Sequence, residues 1–118
     1  MKITIPLPPA ELSPNSRCHW RVKAKATAAM RAISNSRTQF NLPDNHKPFK
    51  SATIQATFYF RDKRRRDKDN MLASLKSAFD GLADAGLVAD DSDFTHLPVV
   101  VCVDRVHPRV ELEVTNNA

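Results

Sequence analysis

SATIQATFYFRDKRRRDKDNMLASLKSAFDGLADAG, residues 51–86, changes its periodicity twice. Over Ser51 to Phe60, Ala52, Ile54, Ala56, Phe58 and Phe60 alternate with Thr53, Gln55, Thr57 and Tyr59, the period of two that turns one face of a strand to a core. From about Asn70 to Ala85, Met71, Leu72, Leu75, Phe79 and Leu82 recur at helical spacing, and Gly86 stops the helix. Between them lies a strongly charged loop, Arg61 to Asn70. Strand, loop and helix in succession make the fold α+β, a mixed α/β arrangement.

Working outward, Lys2 to Pro6 reads as a short strand ended by prolines 6, 8 and 9, and Leu12 to Arg17 as a turn. Cys18 to about Ser34 is a basic amphipathic helix. Val22, Ala26, Ala29, Met30 and Ile33 lie on one side of it, and Arg21, Lys23, Lys25 and Arg31 elsewhere. Residues 36–50 carry Asn41, Pro43, Asp44, Asn45 and Pro48 and read as loop. Pro98 to Asp104 and Arg109 to Val114 read as two strands of a hairpin joined by Arg105 to Pro108. The expected order is β-α-β-α-β-β, with a mixed or antiparallel sheet covered by helices.

At 118 residues, 42% hydrophobic and 26% charged, the chain suits one domain, 1–118, with one modest core. Its longest apolar run, Val99 to Val103, is far below the roughly 18 residues of a membrane span. The opening MKITIPLPPAELSP lacks the apolar stretch of a secretory signal, so a cytoplasmic location is expected, away from membranes. Cys18 and Cys102 form no CxxC pair and are expected reduced and buried. Histidines 19, 46, 96 and 107 have no zinc-site spacing. There is no GxxxxGK[ST] or GxGxxG, and two glycines leave little for a phosphate-cradling loop, which disfavours nucleotide-triphosphate hydrolysis.

Charge is unevenly spread. Met1 to Phe60 holds nine Lys/Arg and two Asp/Glu, Arg61 to Ala118 nine and eleven, and the net is +5. No basic residue falls between Lys76 and Arg105, while aspartates 80, 84, 90, 91, 93 and 104 do. A basic surface with a local acidic cluster suits a protein that binds nucleic acid and gathers carboxylates for a metal; an unevenly charged but unremarkable soluble surface is the alternative.

Lys63-Arg64-Arg65-Arg66-Asp67-Lys68-Asp69-Asn70 sets five cations beside two carboxylates at a helix entrance. Guanidinium forks suit phosphate oxygens, and magnesium takes hard oxygen ligands while keeping several waters. Alternatively, Asp69 or Asn70 caps the helix, although capping accounts for neither Asp67 nor the arginines. On a helix begun near Asp69, Lys76 lies on the same face about 10 Å further along, turned toward a phosphate or paired with Asp80. Asp90-Asp91-Ser92-Asp93 adds carboxylates before a strand, as a ligand source or as a solvated turn. Trp20, between His19 and Arg21, could stack on a base, but a tryptophan at a helix start is more often core.

At RRRDKDN, followed by LKSAFDGLADAG and ADD, the sequence resembles the RusA family of Holliday-junction resolvases, small phage-type and prophage-type endonucleases. PLPPAELSPNSR is similar to that family's N-terminal strand and proline-rich turn, so the resemblance spans roughly Ile3 to Asp91. It implies a homodimer of mixed α/β fold that resolves four-way DNA junctions by paired nicks. It further implies magnesium, with manganese as a substitute, on Asp67, Asp69 and Asp91, and Arg66 and Lys76 near the scissile phosphate, with Asn15 on the N-terminal motif. The family's lysine falls six residues after the first aspartate, where this chain has Ala73; Lys76 falls nine after. Lys63, Arg64, Arg65, Arg66, Asn15 and Arg21 are the expected DNA contacts, and Asp67, Asp69, Asp91 and Lys76 the expected catalytic group. The rival readings are a non-enzymatic basic DNA- or RNA-binding protein and a nuclease for flaps or other branched DNA.

Overall fold

In the computed structural model, which describes residues 1–118, the chain runs β1 (Lys2–Ile5), α1 (Trp20–Asn41), β2 (Ala52–Phe60), α2 (Lys68–Ala73), α3 (Lys76–Asp84), β3 (Phe94–His96), β4 (Val100–Val103) and β5 (Arg109–Asn116). Short 3-10 turns occupy Ala10–Leu12 and Asp91–Asp93. The architecture is α+β with a mixed sheet. β2 is central: β5 pairs with it antiparallel on one side and with β1 beyond, while β3 and β4 pair with it parallel on the other. β3 lies against Ala52–Ile54 and β4 against Thr57–Phe60, so together they form one edge interrupted at Leu97–Val99.

The alternation in β2 is observed as expected, with Ala52, Ile54, Ala56 and Phe58 buried. Their neighbours across the ladders, Val110, Leu112 and Val114 on β5 and Ile3 and Ile5 on β1, are buried with them. The helices close over this apolar face with Met30, Met71, Leu75, Ala78, Phe79 and Leu82, completing a cluster of 20 residues. The other face presents Thr53, Gln55, Thr57 and Tyr59.

Four sequence expectations are corrected. First, β4 and β5 are not a hairpin: β2 lies between them. Asp104 carries the chain over the end of β2, its N–H donating to the carbonyl of Phe60 (2.8 Å), and its carboxylate accepts the N–H groups of Val106 and His107 and the Arg109 guanidinium. Second, α1 runs through residues expected as loop and stops only at Leu42, before Pro43. Tertiary contacts extend it: Thr38 is buried, and Arg37 donates to the carbonyl of Thr4 on β1 (2.7 Å).

Third, the single helix expected over 70–85 is two. The Ser74 hydroxyl donates back to the Met71 carbonyl (2.6 Å) and Leu75 N–H bonds to Leu72 in a tightened turn, the local competition that ends or bends a helix. Met71 and Leu75, on either side of the break, are both buried. Gly86 does end α3, with φ of 90° and bonds from Gly86 N–H to Ala83 and from Leu87 N–H to Leu82, a paired C-terminal cap that favours glycine. Fourth, Cys18 and Cys102 are free as expected but only partly buried.

Candidate nucleic-acid interface

The arginine loop is organised by a residue that the charge pattern passes over. Asp62 accepts the backbone N–H of Arg64 (3.0 Å) and the guanidinium of Arg66 (2.9 Å), and these two interactions, the backbone one first, hold its carboxyl below the usual range. Arg66 is further fixed by donating to the carbonyl of Arg64 (2.8 Å) and by lying 3.7 Å over the ring of Phe60. A guanidinium clamped on an aromatic face keeps its remaining donors aimed in one direction. Lys63 and Arg65 are exposed cations in the same loop.

Asp67 is the cap of α2. Its Oδ1 accepts the N–H groups of Asp69 (2.9 Å) and Asn70 (3.3 Å), so capping falls to Asp67 rather than to Asp69 or Asn70. The Asp69 carboxylate is exposed and takes no partner within the chain. A cleft of about 320 Å³ opens beside this helix start, lined by Pro8, Pro9, Phe60, Arg66, Asp67 and Asn70 among others. Its rim thus joins the proline-rich segment to the charged loop.

Lys76 sits at the start of α3 and donates to Asp80 (2.9 Å) and to Asp91 on the following 3-10 turn. Those two carboxylates, Asp91 first, raise its pKa. Of the two readings of Lys76, the pair with Asp80 is the one that forms, and Asp91 is brought to the same ammonium from a second segment. Asp90 caps its own turn reciprocally with Asp93. His96 lies 4.5 Å from Phe79, and desolvation lowers its pKa. Arg31 reaches across from α1 to Asp84 (2.5 and 2.8 Å), tying the acidic flank of α3 to the basic helix.

The three aspartates expected to converge do not form a three-donor set: no group of three or more His, Cys, Asp or Glu stands where it could hold a metal ion. Asp67 faces the α2 amides and Asp91 faces Lys76. A second cleft, of about 330 Å³, lies between α1 and α3, lined by Leu12, Pro14, Lys23, Thr27, Lys76 and Asp80 among others. It shares Ser74 with the first, so Arg66 and Lys76 stand on two adjoining clefts. Asn15 is exposed in the intervening turn and lines neither. Arg21 is exposed on the first turn of α1. Trp20 is not core: it is 69% exposed.

No helix is long and apolar enough to cross a membrane. No family model matches the chain. An uncharacterized protein of Xylella fastidiosa is 33% identical to it over 104 residues, covering 83% of this chain and 65% of that relative. The chain therefore spans just under two thirds of the length of the relative it matches, with the clefts and the sheet inside its own 118 residues.

Proposed function

We propose that the protein is a magnesium-dependent, structure-selective endodeoxyribonuclease of RusA-like fold that resolves four-way DNA junctions by paired nicks as a homodimer. The observation that carries this reading is the placement of Arg66 and Lys76 on adjoining clefts, with an exposed, unpartnered carboxylate, Asp69, on the first turn of α2. Fixed guanidinium and ammonium groups neutralise phosphate oxygens along a strand, and Lys63, Arg64, Arg65 and Arg21 extend the cationic surface around them. The chain's own residues thus supply backbone binding and orientation. Magnesium, or manganese in its place, is the cofactor this reading implies, although Asp67, Asp69 and Asp91 as they stand do not form its ligand set.

That mismatch favours a second reading, a basic DNA- or RNA-binding protein in which Asp67 caps a helix and Asp91 neutralises Lys76. Asp69→Asn separates the two, because Asp69 caps nothing and pairs with nothing. On a synthetic four-way junction, compared with linear duplex and a flap, the wild type is expected to make paired nicks that disappear with EDTA. Asp69→Asn is expected to bind the junction undiminished and to cut it at least about 100-fold more slowly, the scale on which loss of one charge-stabilising group shows in catalysis. Binding without any magnesium-dependent cut on all three substrates would leave the binding protein standing.

A dimer offers two sites related by a twofold axis to a twofold-symmetric junction. The surface that supports one is the outer edge of β4. Val100, Val101 and Val103 are exposed there, with Leu97 and Val106 on either side, and a strand edge so composed invites pairing with a second chain.

A further inference from the structure

Trp20 is the chain's single tryptophan. A lone exposed apolar side chain needs no explanation, but this indole has a specific setting. The His19 ring stacks on it at 5.6 Å and 28°, and the Arg21 guanidinium lies 5.3 Å from its centroid. His19 is itself immobilised, because its Nδ1 accepts the N–H of Arg21 and so caps α1. Residues 20–25 are all exposed, and Ala26 is the first residue of α1 to pack against the core. Arg17, Arg21, Lys23 and Lys25 have no carboxylate at ion-pair distance. Helix α1 has no acidic residue in its first turn, so these cations face the positive end of the helix dipole and cost stability there.

Position gives the patch its meaning. Lys23 follows Trp20 by three residues, which makes them neighbours on the helix surface, and Lys23 lines the cleft that also holds Lys76. Lys76 is held there by Asp80 and Asp91, so Lys23, with Arg17, Arg21 and Lys25, supplies the unpaired positive charge beside a flat aromatic platform. Cations that track phosphates beside a ring that meets a base are the chemistry by which proteins hold unpaired strands.

We propose that Trp20 stacks on an unpaired base of a DNA strand whose neighbouring phosphates are held by Lys23 and the other unpaired cations around it. This rests on the nucleic-acid reading above and extends it by naming the base-contacting side chain. It also sets a preference: in intact duplex the base faces are already stacked on one another, whereas a single strand or an opened branch point offers one.

Because Trp20 is the only tryptophan, emission excited at the red edge of its absorption, beyond that of Tyr59, reports on this residue alone. Oligothymidylate and a duplex of equal length are titrated at low salt, with the anisotropy of a labelled oligonucleotide recorded in parallel. Quenching of Trp20 by oligothymidylate is expected to track the anisotropy curve, with little quenching by duplex. Trp20→Ala is expected to weaken oligothymidylate binding about tenfold, whereas Trp20→Phe keeps most of it and both variants melt as the wild type does. Full binding with unchanged emission, and Trp20→Ala binding as tightly as the wild type, overturns the stacking and leaves the nucleic-acid reading in place. Absence of binding to both oligonucleotides while a four-way junction still binds overturns the stacking alone; absence of binding to the junction as well overturns both.

Discussion

The carboxylate of Asp104 accepts the N–H of His107, the guanidinium of Arg109 and the N–H of Val106, and these hold its pKa at about 2 against an ordinary 3.8. The folded chain thus favours the ionised form, while the unfolded chain takes up the proton more readily. The stabilisation is present in full above 3.8 and is lost as pH falls from there through about 2. Carboxyl NMR is expected to show Asp104 titrating near 2, with the amide protons of Val106 and His107 losing protection as it protonates; a midpoint at the ordinary value would show that the connector is not held this way. At this scale the sequence spoke unevenly. The mixture of cations and carboxylates at 63–70 was plain from composition, but the capping residue was not, because it depends on which carboxylate reaches two free amides, and a shift of two residues moves the cap to Asp67. Asp62 was hidden for the same reason: its role comes from the turn that brings Arg64 and Arg66 back onto it. Trp20 broke the general rule that large aromatics are buried because α1 begins six residues before it meets the core.

Among the elements, α1 and α3 touch where their side chains are smallest. The Ser34 hydroxyl donates to the Ala78 carbonyl (2.6 Å), and a Cβ added at Gly81 would lie 2.5 Å from the Arg31 carbonyl oxygen and 2.8 Å from Ser34 Cβ. Neither obstacle is the flexible end of a long side chain, so the helices would have to part. Gly81→Ala gains helix propensity of roughly 1 kcal/mol but overpacks a crossing, which costs about 1–3 kcal/mol. The net expectation is a lower melting temperature by thermal denaturation, and because Arg31 and Asp84 flank the crossing, a weakened Arg31–Asp84 pair. A variant as stable as the wild type would mean that the crossing has slack. Periodicity disclosed the buried faces of β2 and of the α2–α3 segment and the stop at Gly86. It did not disclose the break at Ser74, since the apolar stripe continues through it and only the hydroxyl's bond to Met71 marks the change. β3 is three residues long, too short to carry a period, and is defined by its ladder to Ala52–Ile54. The supposed hairpin failed because alternation reports which residues face the core and says nothing about which strand lies alongside.

For the whole molecule, the mixed sheet leaves two unequal edges. The β1 edge presents Lys2, which lies opposite Glu113 and forms a diagonal ion pair with Glu111, and Thr4, and a charged short strand of this kind discourages pairing. The β3–β4 edge presents three valines with free backbone groups along β4, and Asp104 and Arg105 come only after it ends. If two chains pair there about a twofold axis, the contact is the same patch on both, and each subunit carries its clefts into one assembly. Sedimentation is then expected to give twice the chain's 13.2 kDa. Val101→Lys together with Val103→Lys is expected to shift the protein to monomer at micromolar concentration, because lysines on an edge strand block pairing. Those side chains are already partly solvated, so the fold should tolerate them, with circular dichroism unchanged. A wild type that sediments at 13.2 kDa removes the dimer from the proposal. A dimer that withstands both lysines places its interface elsewhere, and paired nicking of a junction by the lysine variant would then remain intact, whereas dissociation should reduce it to independent single nicks.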